Sequence, residues 1–266
     1  MPPFGKVMKA AIFSHRGNNQ ERSVNEDAVL GSSIYSRQSM EKPINEVWQE
    51  GPSLAAVADG MGGGPGGQEA AEAVLACLQT LTGRKLGLEA EGELAVVFGQ
   101  AFDLLTEKAA HDPQLKGLGA TVAGLWLDDG EVLVFNCGDC RVYRVRGGFL
   151  DQISHDHSRV YQLYMAGETT YEEMRTHHLK HLVSSSVQEG TDRPEVFQRR
   201  LMLRPGDAFL ICCDGVWEAL PLEEMENCLK EKSFELGAES LAAALMQADC
   251  RDNVSFLLLK PDEDKN

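Results

Sequence analysis

Acidic residues stand at recurring positions along this 266-residue chain. Asp59 follows the apolar run Leu54-Ala55-Ala56-Val57-Ala58 and precedes Gly60; Asp214 follows Phe209-Leu210-Ile211-Cys212-Cys213 and precedes Gly215. Asp139 comes just after the run 132–137, and Asp252 directly before the run 254–259. Glu26-Asp27 is a further acidic site. A carboxylate where a buried strand ends is too expensive to leave unpaired, and a glycine beside it lets the backbone, carbonyl included, come close to a bound group. Hard cations take oxygen ligands of this kind. Asp next to Gly is also a common turn signature, and any one of these residues alone reads more simply as a turn former or helix cap. Four at equivalent strand edges, with Glu26-Asp27 as a fifth acidic site, point jointly to metal binding.

The elements that must position them follow from periodicity. Strands are expected at 7–14, 28–34, 54–58, 121–127, 132–137, 142–145, 197–203, 208–213 and 254–259. Asp128-Asp129-Gly130 joins two of them as a tight hairpin, Gly147-Gly148 ends another, and Arg204-Pro205-Gly206-Asp207 turns the chain into the next. Such a meander implies antiparallel pairing. Two long helices, 67–81 and 93–108, carry one apolar stripe each, and shorter helices are expected at 158–166, 170–177, 222–231 and 238–248. Helices and sheets that each bury one face suggest a layered sandwich with helices outside. No linker-like segment interrupts the chain, which reads as one domain over 1–266 with a frayed charged tail at 261–266.

With 25 Lys+Arg against 41 Asp+Glu, the net charge of −16 sets up a field that repels nucleic acid and anionic membranes. Composition alone does not separate solubilising surface from carboxylates gathered around cations. No signal-peptide core and no apolar run long enough to span a bilayer are present, so a cytoplasmic protein is expected. Seven cysteines, an odd number, suit reduced thiols; Cys137-x-x-Cys140 and the adjacent Cys212-Cys213 read as buried small hydrophobes rather than a zinc site.

The ordered segments Arg22-x-x-Asn25-Glu26-Asp27-Ala28, Val57-Ala58-Asp59-Gly60-Met61-Gly62-Gly63, Gly119-Ala120-Thr121, Asn136-Cys137-Gly138-Asp139-Cys140-Arg141-Val142-Tyr143, Ser154-His155-Asp156-His157-Ser158, Gly206-Asp207 through Cys213-Asp214-Gly215, and Asp252-Asn253-Val254-Ser255 together resemble the metal-dependent protein phosphatase family, also called protein phosphatase 2C. The resemblance runs from Arg22 to Ser255. It implies an α+β fold, a four-layer αββα sandwich of two antiparallel β-sheets flanked by helices, with Mn2+ or Mg2+ at one edge. Carried over by position, Asp59 bridges two ions, the Gly60 carbonyl binds one of them, Asp214 and Asp252 complete the first ion's shell, and Glu26 serves the second. A third, weaker ion lies between Asp139 and Asp214. Asp27 and Asn253 orient these ligands from behind. Arg22 matches the family's phosphate-clamping arginine, whose fork suits a phosphate dianion. Two metals activate a water for attack on a phosphomonoester, which makes Asp59 and Arg22 the central catalytic residues.

Departures from the family pattern carry expectations of their own. Met61 stands where animal-type members have histidine, as in bacterial members, and leaves the general acid open among a metal-held water, His15, His155 and His157. Cys140 and Cys213 replace the usual serines and put thiols beside metal ligands, where oxidation of either would lower activity. The flap at 160–191 holds the basic run Arg175-Thr176-His177-His178-Leu179-Lys180-His181 and has Val183-Ser184-Ser185-Ser186-Val187-Gln188 in place of the family's usual segment. The expected function is metal-dependent hydrolysis of phosphoserine and phosphothreonine in proteins by a monomeric enzyme that opposes a bacterial Ser/Thr kinase. A catalytically weak phosphoprotein-binding regulatory module and a small-metabolite phosphatase are the alternatives.

Overall fold

In a computed structural model, the structure describes residues 7–19, 23–49, 51–62, 65–248 and 250–262. Strands and helices are numbered in chain order. One six-stranded sheet runs β4(Ile44–Gln49), β1(Val7–His15), β13(Val254–Pro261), β12(Ala208–Cys212), β8(Arg141–Arg146), β9(Phe149–Gln152). The other has seven strands: β11(Phe197–Met202), β7(Glu131–Cys137), β6(Gly119–Asp128), β5(Ser53–Met61), β2(Ala28–Leu30), β3(Ile34–Ser36), with β10(Val187–Gln188) on the start of β6. All these ladders are antiparallel.

The sequence of β5 shows why the sheets stack as they do. Leu54, Ala56 and Ala58 face one hydrophobic core, formed with α1(Pro65–Gln79) and α2(Ala90–His111). Ala55 and Val57 face a second core, between the two sheets. A strand covered on both faces reads as a continuous apolar run rather than an alternating one. The first sheet's outer face is covered by α6(Leu222–Leu229) and α7(Phe234–Gln247), the latter opened by Ser233, whose hydroxyl accepts from the Leu236 N–H at 3.2 Å. The result is the expected αββα layering.

Several expectations are corrected. The strand foreseen at 28–34 is a hairpin, β2 and β3, because Gly31-Ser32-Ser33 turns and the Glu46 carboxylate accepts from the Ser32 N–H and the Tyr35 hydroxyl. β4, β9 and β10 are additional strands, and α5(Asp214–Ala219) is an additional helix. Gly147 and Gly148, both at positive φ, end β8 as expected and turn the chain into β9, as Asp129 and Gly130 turn β6 into β7. The 261–266 tail begins in a strand, since Pro261 pairs with Met8; residues 263–266 lie outside the described residues. α3(Arg159–Met165) and α4(Tyr171–Met174) build the flap.

Antiparallel order gathers chain ends that are remote in sequence. The C-terminal ends of β1, β5, β7 and β12 and the N-terminal starts of β2, β6, β8 and β13 share one edge of the sandwich. There α5 presses on the approach to β13: a Cβ at Gly215 would collide with the Asn253 carbonyl oxygen. In an open helix Gly→Ala gains about 0.5–1 kcal/mol. Here overpacking, about 1–3 kcal/mol, outweighs it. Gly215→Ala is therefore expected to lower the melting temperature, and an equal or higher midpoint by circular dichroism would show that α5 has room to move.

Candidate metal centre

Asp59 lies within β5, opposite Thr121, rather than just beyond its end. It continues the odd-numbered series of Ala55 and Val57, so its side chain enters the gap between the sheets. Gly60 follows in such close contact that a Cβ there would overlap the Gly67 carbonyl, and the Glu26 carbonyl oxygen would lie 2.6 Å away. Asp214 opens α5, Asp139 occupies the turn between β7 and β8, and Asp252 precedes β13, where it accepts from the Asn253 N–H at 2.8 Å. Asn253 is a clamp: its Oδ1 accepts from the Glu26 N–H at 2.9 Å and its Nδ2 donates to the Arg16 carbonyl at 3.0 Å. It thereby joins three of the converging segments.

Their electrostatics shows that the carboxylates belong to one cluster. Burial, then the charges of Asp214, Asp27, Asp252 and Asp139, push the Asp59 carboxyl well above the usual range. Burial and the charges of Asp139, Asp252, Glu218 and Asp27 do the same to Asp214. Asp27 is raised to about 6, chiefly by burial, with its polar neighbours Ser255 and Cys213 pulling the other way. Asp139 is raised to about 7, again by burial first and then by Asp156. Burial is the common first cause, with neighbouring carboxylates adding to it.

Both oxygens of Asp27 and Oδ1 of Asp214 are buried and make no hydrogen bond. Among the described residues, no three His, Cys, Asp or Glu side chains form a ready-made coordination shell. The donors are nonetheless all oxygen, carboxyl groups and one backbone carbonyl, and the orphaned atoms among them are buried without a protein donor. This chemistry fits a hard divalent cation.

Beneath the carboxylates runs a row of small polar side chains. Ser14 pairs with Ser255 across β1 and β13, their hydroxyls 2.8 Å apart. The Ser255 N–H donates to the Cys213 thiol at 3.1 Å, and Thr121 Oγ1 meets the Cys140 thiol at 3.2 Å. Larger side chains in this row would fill the space that Asp27 and Asp59 occupy.

Sequence reasoning missed the residues that hold the Asp139 turn. The Trp217 indole N–H donates to the Asp139 carbonyl at 3.0 Å, and Arg141 stacks on the Trp217 ring, 3.6 Å from its centroid. Arg141 in turn makes two hydrogen bonds to Asp156, at 2.8 and 2.7 Å, in full burial. Glu218, one helical turn after Asp214, pairs with Lys180 of the flap, and its carbonyl accepts from Arg175 at 2.7 Å. The buried Arg141 next to Asp139 and the basic flap run were the available signals.

Arg22 lies outside the described residues. None of the strongest charge neighbours of Asp59, Asp139 or Asp214 is a histidine. His157 Nδ1 accepts from the Gly138 N–H at 3.1 Å, so this ring braces the Asp139 turn, while His155 packs between Tyr161 and Phe197. His15 Nδ1 accepts from the Gly17 N–H at 3.1 Å.

Comparison with known proteins places this architecture. The protein phosphatase 2C family matches residues 43–249. The serine/threonine protein phosphatase PstP of Mycobacterium tuberculosis is 27% identical over 208 residues, which is 78% of this chain and 40% of PstP. This chain thus spans less than half the length of that relative. The serine/threonine phosphatase stp of Listeria monocytogenes is 26% identical over 215 residues, 79% of this chain and 84% of stp. Among solved structures, the catalytic domain of PstP in complex with two manganese ions superposes with a TM-score of 0.78 at 25% identity, covering 97% of this chain and 99% of that one.

The raised carboxyls set the sign of a pH effect in metal-free protein. Their folded pKa values lie above the unfolded value of 3.8, so the fold retains protons that the unfolded chain releases. Their contribution to stability is full below about pH 4 and is lost as pH rises through about 6 for Asp27 and about 7 for Asp139. Chelator-treated protein should unfold at lower urea at about pH 7.5 than at about pH 5, and Asp27→Asn should shrink the difference. A midpoint that rises with pH in both proteins would contradict the cluster.

Proposed function

This chain belongs to the protein phosphatase 2C family, and on that basis we propose that it is a metal-dependent phosphatase that hydrolyses phosphoserine and phosphothreonine monoesters in proteins. The observation that carries the reading is the gathering of Glu26, Asp27, Asp59, Asp139, Asp214 and Asp252 at one edge, with orphaned oxygens on Asp27 and Asp214. The substrate class follows the named activities of PstP and stp. A phosphorylated protein is the implied partner, together with the kinase that made it.

Asp59, the Gly60 carbonyl, Asp214, Asp252 and Glu26 would hold two Mn2+ or Mg2+ ions, with Asp139 and Asp214 serving a third. When bound, such ions acidify water and neutralise charge on a phosphoryl group. The chain's own residues do the rest. Asn253 fixes the backbone at Glu26 and the segment bearing Asp252, so those ligands arrive pre-aligned. Trp217 and His157 hold the Asp139 turn from two sides. Without cations this edge repels a phosphate dianion, and Arg22 is the residue assigned to grip it. The histidines are engaged in bracing and packing, so we assign none of them as the acid that protonates the leaving serine or threonine oxygen.

The test is turnover of a phosphothreonine peptide and of an aryl phosphate with Mn2+, with Mg2+ and with chelator, for wild type beside Asp214→Asn. Metal-dependent turnover that falls by about 10²–10³-fold in the variant is expected, the scale of losing one strong electrostatic contact. Millimolar Mn2+ should also raise the melting temperature of chelator-treated protein, since a ligand that binds only the folded state stabilises it. Absence of turnover in every condition would leave the regulatory module as the better reading.

A further inference from the structure

We propose that Cys140 and Cys213 are a redox modification site, closing a reversible disulfide across β8 and β12 beneath the carboxylate cluster. The two strands run antiparallel with Ile211 opposite Val142 and Cys212 opposite Arg141. One step further along the same register sets Cys213 opposite Cys140. The Cys213 N–H donates to the Ser255 carbonyl at 3.1 Å, on the β13 side, so its backbone groups point away from β8. The two cysteines therefore form a non-hydrogen-bonded cross-strand pair, the kind whose Cα atoms stand about 4.5 Å apart. A disulfide accepts Cα separations of about 4.4–6.8 Å.

Both side chains are on the inner face of the sheet and fully buried. Cys140 touches Thr121 of the facing sheet, and the charge of Cys140 is felt at Cys213. Both thiols are free, each engaged elsewhere: Cys140 with Thr121, Cys213 with Ser255 and with the Asn253 carbonyl at 3.5 Å. Rotation about each χ1 turns the sulfurs toward one another. The neighbouring thiols are excluded as partners by direction. Cys212 is on the opposite face of β12, and Cys137 faces the α1 and α2 core, with its sulfur 3.7 Å from Ser185.

The oxidant is hydrogen peroxide. One cysteine sulfur attacks the peroxide oxygen, the O–O bond breaks, and a sulfenic acid and one water form. The second thiol then attacks the sulfenic sulfur, the S–S bond forms, and the hydroxyl leaves as a second water. Two thiols are oxidised and one peroxide is reduced; a dithiol reverses the bond by exchange. Both thiols are fully buried, so the first step is slow. Asp139 precedes Cys140 and Asp214 follows Cys213 in the chain, so the bond ties the backbones of two carboxylate-bearing segments together and releases Thr121 and Ser255. The bond itself is independent of the phosphatase reading; its effect on turnover rests on that reading.

The experiment exposes the folded full chain to hydrogen peroxide for hours, blocks remaining thiols, digests, and maps the peptides by mass spectrometry. The expected product is a Cys140–Cys213 linked peptide that has lost two hydrogens, disappears with dithiothreitol, and is absent in both Cys140→Ser and Cys213→Ser, with the alanine variants as replacements should either serine variant unfold. Turnover of an aryl phosphate with Mn2+ should fall in proportion to the linked fraction and return with dithiothreitol. Free thiols, singly oxidised cysteines, or linkage to Cys137 or Cys212 overturn the site. Linkage with unchanged turnover overturns the switch and keeps the bond. Absence of turnover in the reduced protein counts against the phosphatase reading alone.

Discussion

Mutual repulsion among buried carboxylates is the constraint to which this structure answers. Burial raises the carboxyls of Asp27, Asp59, Asp139 and Asp214, and neighbouring acids add to it: Asp252 at Asp27, Asp156 at Asp139, and the other cluster members at Asp59 and Asp214. Such a group is a cost to the fold unless a cation is added. Much of the local architecture serves to hold the acids together despite it. Asn253 bridges the entries to β2 and β13, His157 and Trp217 pin the Asp139 turn, and glycines at 60 and 215 let backbones meet where side chains would hold them apart.

The same constraint shapes the gap between the sheets. Farther in, the inner faces meet through Val29, Val57, Phe209, Ile211 and Leu257, an ordinary apolar interior. At the edge the row changes to Ser14, Ser255, Cys213, Cys140 and Thr121, all small and all able to exchange hydrogen bonds. On the outer face a second support runs from Asp156 through Arg141 to Trp217, with Tyr171 of the flap closing it. Lys180 and Arg175 fasten the flap to Glu218, on the same short helix as Asp214. Flap and carboxylate edge are therefore mechanically one unit.

Most of the fold was legible because long elements impose their period on the sequence. The β6–β7 hairpin and the two long helices are where their patterns put them, with helix boundaries shifted by only a few residues. β4 escaped notice because it is an edge strand with Ile44 and Val47 exposed, so it lacks an apolar signature. β2 and β3 merged in the sequence because their connecting turn is made by Glu46, a residue distant in the chain. The acidic positions of the site were legible for a chemical reason, since carboxylates recurring at the rims of several apolar runs together are harder to explain as turn formers than any one alone. Arg141, Trp217 and Glu218 were not, because their roles depend on packing between segments that no local pattern connects.

The ladder between β1 and β13 joins the first described strand to the last, Met8 to Pro261, at the centre of its sheet. While the chain emerges from the ribosome, β5, β6 and β7 can pair as neighbours and β1 can pair with β4, but the β1–β13 ladder must wait for residues 254–261. Contacts so remote in sequence are slow to form. The first sheet is thus completed late in biogenesis, when β13 joins β1 to β12, and β13 brings Asp252 with it. The carboxylates are not brought fully together until the surrounding scaffold is almost finished, which spares the growing chain their repulsion.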